Sequence, residues 1–543
     1  MKKARVLSML TATALVSMMV VAIPTAAHAA APACDGKLTV NSCAGKTSDG
    51  APYAMMVPGN FNGTVYLYSH GYRPSVNVVA GIPGYGGYVV TDTPQPGPNA
   101  TVIGSLLSQG FAVVGSGFAR QGWNADSGVA TDVELIGEFK KQFPTTKHVV
   151  AWGESLGGFI TQALAETHPE LVDAVAPMCM AAGTVEAELT MAGDFLWGVK
   201  TLFDPSIQGT NYAAGAAGYV QEMTDLGKFF TVLGKLQAGV STGVWPDTSS
   251  ATGLALQKAG IPVRSALLML GLMSGIGTQS AHFDSISGPA GALKLAFPLA
   301  VSPALAVLEN GANAGALAIL ATQDVEQQSG GVIFDNTKTD YAARIATESV
   351  IFNVALSGDE GIAGMLQALS PLNPGAPRVT GNPEAIAKMR ALLSHTGKIN
   401  VPTITMTGVA DPITPAGGPQ WLADKYAAQY AAEKAAAIAA FKTTGAYVPP
   451  VKKLLSIWVT TPATYTTFTA AGLPVTSTPP APGTNHCVFT TAQYQVVAKQ
   501  LASVASTGLM ITGGPLRTLI RKGKNLSIDP MYRAPLLKFY NEQ

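Results

Sequence analysis

One serine stands in a setting that could make it a nucleophile. Residues 149–158 read VVAWGESLGG and contain the pattern G-x-S-x-G around Ser155. A serine hydroxyl attacks a carbonyl group when a base takes its proton, and a sharp turn between a strand and a helix exposes it for that reaction. Such a turn also directs the backbone N–H of Leu156 at the group under attack. The alternative is a glycine-rich turn in which Ser155 only caps a helix.

The base is expected to be a histidine, because the pKa of imidazole lies near neutral pH. His486 follows the last predicted strand of the sheet and precedes a helix, so it lies where loops gather at the carboxyl ends of strands. His70 ends an early strand and is expected to shape the loop that binds the oxyanion. The remaining histidines lie in the N-terminal leader, at the wrong ends of elements or in a helical insertion: His28, His148, His168, His282 and His395.

An acid must hold the imidazole in the right tautomer and stabilise its charged form. Asp411 directly follows a predicted strand, and Gly408, Pro412 and Pro415 shape the turn around it. This places a carboxylate at the same rim as His486. Asp424, on the following helix, is the main competitor for the role.

Strands and helices alternate on both sides of a long insertion. Strand patterns cover Thr64–Ser69, 112–115, 149–152, 171–178, 401–407 and 456–460. Helices are predicted over 102–109, 130–143, 159–168, 422–442 and 491–504. Residues 183–395 show apolar helical stretches and no clear strand. We therefore predict an α/β fold with a mostly parallel central sheet, helices on both faces and a large inserted helical lid. The apolar side chains of the insertion either line a substrate pocket or form its own core.

The order Ser155, Asp411, His486, with His70 and Gly71 after an early strand, resembles the α/β-hydrolase superfamily. The resemblance covers roughly residues 50–182 and 396–508. It implies that Ser155 attacks an acyl carbonyl group and that His486 carries the proton to the leaving alcohol. It also implies that the amides of Leu156 and Tyr72 hold the oxyanion, with Gly71 as a substitute for Tyr72.

The pair His486-Cys487 is similar to tannases and feruloyl esterases, in which a disulfide bond ties the serine and histidine segments. Here Glu154, and not a cysteine, precedes Ser155. Cys179, after the next predicted strand, would replace that cysteine. This partial resemblance does not carry the substrates of those enzymes to this chain.

The composition excludes some classes of partner. The chain has 543 residues, a formal net charge of +1 and only 12% charged residues, which gives no electrostatic case for binding nucleic acid or an anionic membrane. Residues 1–29 have a basic start, an apolar stretch and a small-x-small cleavage site, which predicts a signal peptide and secretion. The apolar stretch 286–321 is interrupted by charged residues and prolines, so no stable membrane insertion is expected.

Four cysteines in an exported chain predict two disulfide bonds. Cys34 would pair with Cys43 across a short loop, and Cys179 would pair with Cys487. Free buried thiols are the alternative. No cofactor or metal site is predicted.

We expect five segments. They are a signal peptide 1–29, a first core part 30–182, a lid 183–395, a second core part 396–508 and a C-terminal extension 509–543.

The predicted function is a secreted serine esterase acting on a small-molecule or polymeric ester, with a hydrophobic or aromatic group favoured. A peptidase similar to prolyl oligopeptidases and an acyltransferase remain open on the same three residues. A non-catalytic binding protein would need none of the three. The sequence leaves the oligomeric state open.

Overall fold

The structure is a computed structural model of the full chain, and it describes residues 31–83, 85–288, 301–341, 344 and 376–535. The predicted signal peptide 1–29 lies outside the described residues. So do parts of the predicted lid, mainly 289–300 and 345–375, and the end of the C-terminal extension after residue 535.

A ten-stranded sheet forms the centre of the described chain, with the strand order β1-β2-β3-β5-β4-β6-β7-β8-β9-β10. The strands are β1 Ala33–Cys34, β2 Val40–Lys46, β3 Pro52–Pro58, β4 Thr64–Ser69, β5 Ala112–Ser116, β6 His148–Glu154, β7 Ala174–Met178, β8 Thr403–Gly408, β9 Leu454–Val459 and β10 Leu526–Ser527. From β5 through β4, β6, β7, β8 and β9 all neighbours are parallel. The antiparallel strands β1, β2 and β3 add to one edge and β10 adds to the other.

Twelve helices accompany the sheet in the described chain. They are α1 Ala100–Ser108, α2 Ala125–Gln142, α3 Leu156–Thr167, α4 Val185–Leu202, α5 Gly215–Thr242, α6 Ala251–Lys258, α7 Val263–Ser274, α8 Ser302–Ser329, α9 Pro383–Arg390, α10 Gly417–Thr444, α11 Thr491–Thr507 and α12 Gly513–Gly523.

Strand β6 shows how the sheet is covered on both faces. Val149 and Ala151 belong to a core shared with α2 and α3, whereas Val150 and Trp152 belong to a second core shared with α1 and α11. Side chains alternate between the two faces of a strand, so a strand buried on both faces reads as an unbroken apolar run. The predicted α/β architecture, with helices on both faces of a mostly parallel sheet, is confirmed.

The helices between β7 and β8 have a separate core of their own. Apolar side chains of α4, α5, α7 and α8, such as Phe195, Phe229, Leu267 and Ile319, are buried against one another. The described residues of 183–395 contain helices and no strand, as the sequence indicates. The segmentation into core and lid stays a prediction.

Helix α8 is the one described helix long and apolar enough to cross a membrane by length and composition. However, 78% of its apolar window is buried inside the protein, which is also typical of the core helix of a soluble protein.

The strand pattern at 456–460 was expected to give the last strand of the sheet, and this expectation is wrong. Strand β9 is followed by β10, which pairs antiparallel with β9 through Leu526 and Ser527. The tail therefore returns to the sheet, and α12 buries Leu516, Leu519 and Ile520 on the way. A two-residue strand carries too little pattern to be recognised in a sequence.

Candidate active site

The α/β-hydrolase fold, which this strand order and its two helical layers define, brings the carboxyl ends of its parallel strands to one rim. Strand β6 ends at Glu154, one residue before Ser155. Strand β8 ends at Gly408, three residues before Asp411, and the loop after β9 leads to His486. Ligands of open α/β sheets bind outside these strand ends.

Ser155 lies at a strained turn between β6 and α3. Its backbone has φ 58° and ψ −124°, a region that L-residues other than glycine rarely adopt. A Cβ atom at Gly153 would lie 2.4 Å from the carbonyl oxygen of Gly157, and one at Gly157 would lie 2.0 Å from the carbonyl oxygen of Ser69. Only glycine fits at either position, so the turn can form and present the Ser155 side chain.

The imidazole of His486 lies between Ser155 and Asp411. Its Nε2 is 2.8 Å from the Ser155 Oγ. Its Nδ1 is 2.9 Å from one carboxylate oxygen of Asp411 and 3.0 Å from the other. If Nδ1–H donates to Asp411, then Nε2 carries a lone pair and can accept the proton of the serine hydroxyl.

Asp411 is held by the turn that contains it. Its Oδ1 accepts from the amides of Ile413 and Thr414, both at 3.0 Å, and its Oδ2 accepts from the amide of Cys487 at 3.3 Å. The side chain is 1% exposed, against 19% for His486. The carboxylate is therefore fixed in position before any substrate arrives, and it does not have to reorganise.

Two disulfide bonds are formed, with the pairing that the sequence predicts. Cys34 bonds Cys43, and Cys179 bonds Cys487. Cys179 directly follows β7 and Cys487 directly follows His486, so the second bond anchors the histidine segment to the centre of the sheet. Thr414 adds a hydrogen bond of 2.7 Å from its hydroxyl to the carbonyl oxygen of Cys179.

The amides of Leu156 and Tyr72 are both available to an incoming group. Leu156 is the first residue of α3, so its amide has no acceptor inside the helix. Neither amide donates to another group within the described chain. Gly71 packs against the serine, since a Cβ atom there would lie 3.2 Å from the Ser155 Cβ and 3.7 Å from the Oγ.

His70 positions the peptide between Gly71 and Tyr72. Burial lowers the pKa of His70 to about 4, so the ring is neutral near pH 7 and its Nδ1–H donates to the Gly71 carbonyl oxygen at 2.7 Å. The C=O and N–H of one trans peptide point in opposite directions. Fixing the Gly71 carbonyl group therefore also fixes the direction of the Tyr72 N–H.

The histidines that the sequence analysis set aside, and the competing acid Asp424, lie away from this rim. His148 contacts Asp173 and His168 contacts Glu170, whereas His395 is buried near the start of α3. Asp424, which lies on α10, forms an ion pair with Arg533 and does not contact His486. His282 binds Glu309 and the backbone carbonyl group of Thr478.

Two buried carboxyl groups, those of Glu154 and Glu188, were given no role from the sequence. The Tyr494 and Tyr68 hydroxyls donate to Glu154 at 2.5 and 2.6 Å, and burial raises the pKa of this carboxyl against the opposing effect of those bonds. Burial and the charge of Asp411 raise the pKa of Glu188, in the first turn of α4, to about 8. No pattern in the sequence around Glu188 indicates that it lies close enough to Asp411 to be affected by its charge.

Three potential metal ligands also meet here. Ligand atoms of Asp411, His486 and Cys487 lie within 4.8 Å of one another. The Cys487 sulfur is bonded to Cys179, so it is not a thiolate, and both imidazole nitrogens of His486 have partners. This arrangement suits proton transfer better than metal binding.

No family model matches the chain, and no curated protein sequence matches it. Feruloyl esterase B from Aspergillus oryzae aligns over 87% of this chain and 82% of its own, with 14% identity and a TM-score of 0.37. The cell-wall-degrading esterase LipA from Xanthomonas oryzae aligns over 80% and 92%, with 12% identity and a TM-score of 0.28. Likeness at this level carries no argument about activity, and the fold assignment rests on the topology above.

Proposed function

We propose that the chain is a serine hydrolase that cleaves carboxylic esters through an acyl-enzyme on Ser155. The observation that carries the proposal is the continuous contact from the Ser155 hydroxyl through His486 to Asp411. The strained backbone at Ser155 supports it, because such strain is retained where it serves a site. These three side chains are far apart in the sequence, and the fold brings them into contact at one rim of the sheet.

In the first half-reaction the Ser155 Oγ attacks the ester carbonyl carbon, while His486 Nε2 takes the hydroxyl proton. The amides of Leu156 and Tyr72 are proposed to donate to the oxygen that becomes negative. Asp411 stabilises the imidazolium ion. The C–O bond to the alcohol then breaks, and His486 returns the proton to the leaving oxygen.

In the second half-reaction water takes the place of the alcohol. His486 removes a proton from the water, which attacks the acyl carbon, and the proton then passes to the Ser155 oxygen as the acid leaves. The overall change is ester plus water to acid plus alcohol, and no cofactor is required.

The substrate is proposed to be a small-molecule or polymeric ester met outside the cell. Two disulfide bonds fit an oxidising compartment and so support export. The preference for a hydrophobic or aromatic group is proposed from the many apolar side chains of α4, α5, α7 and α8, although these pack against one another.

Labelling tests the proposal. A fluorophosphonate probe should label Ser155 of the intact protein, and the Ser155→Ala variant should not be labelled. Ser127 is a matched control at the start of α2, since its hydroxyl only bonds the Asn124 carbonyl group. The Ser127→Ala variant should label normally, and wild-type protein that stays unlabelled would remove the proposal.

Substrate panels separate the remaining activities. Hydrolysis of p-nitrophenyl esters without hydrolysis of aminoacyl anilides is expected. Faster cleavage of the anilides would indicate a peptidase, and transfer of the acyl group to an added alcohol in preference to water would indicate an acyltransferase.

A further inference from the structure

The segment 461–484, which precedes His486, has little structure of its own. It contains no helix and no strand beyond isolated bridges such as Phe468 with Pro474. An irregular segment of this length is mobile unless other parts of the protein hold it. Movement near its end would displace His486, which lies two residues beyond Thr484.

The stretch after α7, residues 279–284, holds this segment. The Ala481 amide donates to the Ala281 carbonyl oxygen at 2.9 Å. The amides of Tyr465 and Thr466 both donate to one carboxylate oxygen of Asp284, each at 2.9 Å. The helical region between β7 and β8 thus contacts the chain that leads to His486.

His282 is the residue that ties this contact to α8. Its Nε2 lies 2.9 Å from the Thr478 carbonyl oxygen, and its Nδ1 lies 2.5 Å from the Glu309 Oε1. The other oxygen of Glu309 accepts from the Ser280 hydroxyl at 2.5 Å and from the His282 amide at 3.1 Å. The His282 and Glu309 side chains are 15% and 26% exposed, so water competes only weakly for the bond between them, whereas the bond to Thr478 is exposed to solvent.

The two partners of His282 constrain which of its ring nitrogens carries a proton. A carbonyl oxygen only accepts, so the Nε2 of His282 must carry a proton to bond Thr478. A neutral ring with that proton turns a lone pair of Nδ1 towards Glu309, and two lone pairs repel. Both contacts are satisfied together when a second proton lies between Nδ1 and the carboxyl group, as a charge-assisted hydrogen bond.

We propose that His282 is a positioning residue for His486. It fastens segment 461–484 to α8 through the Thr478 carbonyl group, and this keeps the His486 imidazole within reach of Ser155. The inference rests on the proposed function for its effect on catalysis. The ordering of the segment is measurable without any reaction.

The test compares three variants by hydrogen exchange and kinetics. His282→Phe keeps an aromatic ring beside Phe283 and removes both donors. Backbone amides of Tyr465, Thr466 and Ala481 should then exchange about tenfold faster, the factor expected for one lost charge-assisted hydrogen bond. The value of kcat should fall about tenfold with KM changed less than about twofold, because the loss concerns the placement of the base.

Glu309→Gln is the conservative counterpart. Its amide N–H can donate to the Nδ1 of a neutral imidazole, which keeps the bond from Nε2 to Thr478, so exchange in 461–484 should stay within about threefold of wild type. His148→Phe, at the opposite end of the sheet, should change neither exchange in this segment nor kcat.

The outcomes separate the two proposals. Wild-type exchange in 461–484 of a folded His282→Phe variant would overturn the positioning role. Should that variant not fold, His282→Met also removes both ring donors, and unchanged exchange in it would overturn the role equally. Protein that fails to react with esters and fluorophosphonate, yet shows faster exchange in His282→Phe, would refute only the proposed function.

Discussion

At the scale of single residues, the arrangement of Asp411 differs sharply from that of its competitor Asp424. Asp411 is buried and bonded by three amides and by His486. Asp424 lies on a helix, partly exposed, against Arg533. Both were considered from the sequence, and only the three-dimensional arrangement separates them.

We expect Asp411→Asn to lower kcat by about four orders of magnitude, because an amide at this position favours the wrong imidazole tautomer. Asp424→Asn should leave kcat within about twofold, since an exposed ion pair contributes little. Steady-state hydrolysis of an activated ester measures both. Equal losses in the two variants would contradict the assignment of Asp411.

At the scale of elements, the sequence was informative where strands are buried on both faces. Strands β4, β6 and β8 read as apolar runs and were predicted to within three residues at either end. The antiparallel strands β2 and β3 were missed. β2 carries asparagine, serine and glycine, and β3 begins and ends with proline, so neither shows a clear apolar period.

The prediction of the site was likewise limited to residues that leave a local pattern in the sequence. The elbow around Ser155 is a local pattern, because glycine is required by contacts within one turn and its neighbours. Glu188 and His282 lie near residues more than a hundred positions away in the sequence, Asp411 and Thr478 respectively. No local pattern records such a contact, so these residues could not be found from the sequence.

The two disulfide bonds should differ in their effect on activity. Replacing Cys179 and Cys487 together by alanine should lower kcat more than tenfold, because the segment with His486 loses its anchor beside β7. Replacing Cys34 and Cys43 should leave kcat within about twofold, since that bond closes an edge hairpin away from the site. Kinetics at a temperature well below both melting points test this, and equal losses would contradict it.

At the scale of the whole molecule, several buried carboxyl groups have no cation beside them within the described part of the chain. Burial raises the pKa of Asp132 and Glu188 to about 7 and about 8, where the unfolded values are 3.8 and 4.5. Burial also raises the pKa values of Glu222 and Glu326 to about 7. The folded state therefore binds these protons more tightly than the unfolded chain does.

Stability should consequently fall as the pH rises from about 5 to about 8. The contribution of each raised group is complete below its unfolded pKa and is lost as the pH passes its folded pKa. We expect the melting temperature to fall by about 3 °C or more across this range. The double variant Asp132→Asn, Glu188→Gln should flatten the slope, and a melting temperature that climbs over the same range would contradict the explanation.

The bond between Cys179 and Cys487 also makes a closed covalent ring of everything between them, 308 positions apart. One cut by a protease within that ring would leave the piece bearing Ser155 linked to the piece bearing His486. Nicked protein should therefore migrate as one band on a non-reducing gel and as two after reduction, and it should retain labelling until the reductant is added. The protein would in this way tolerate damage to its helical region as long as the surroundings remain oxidising.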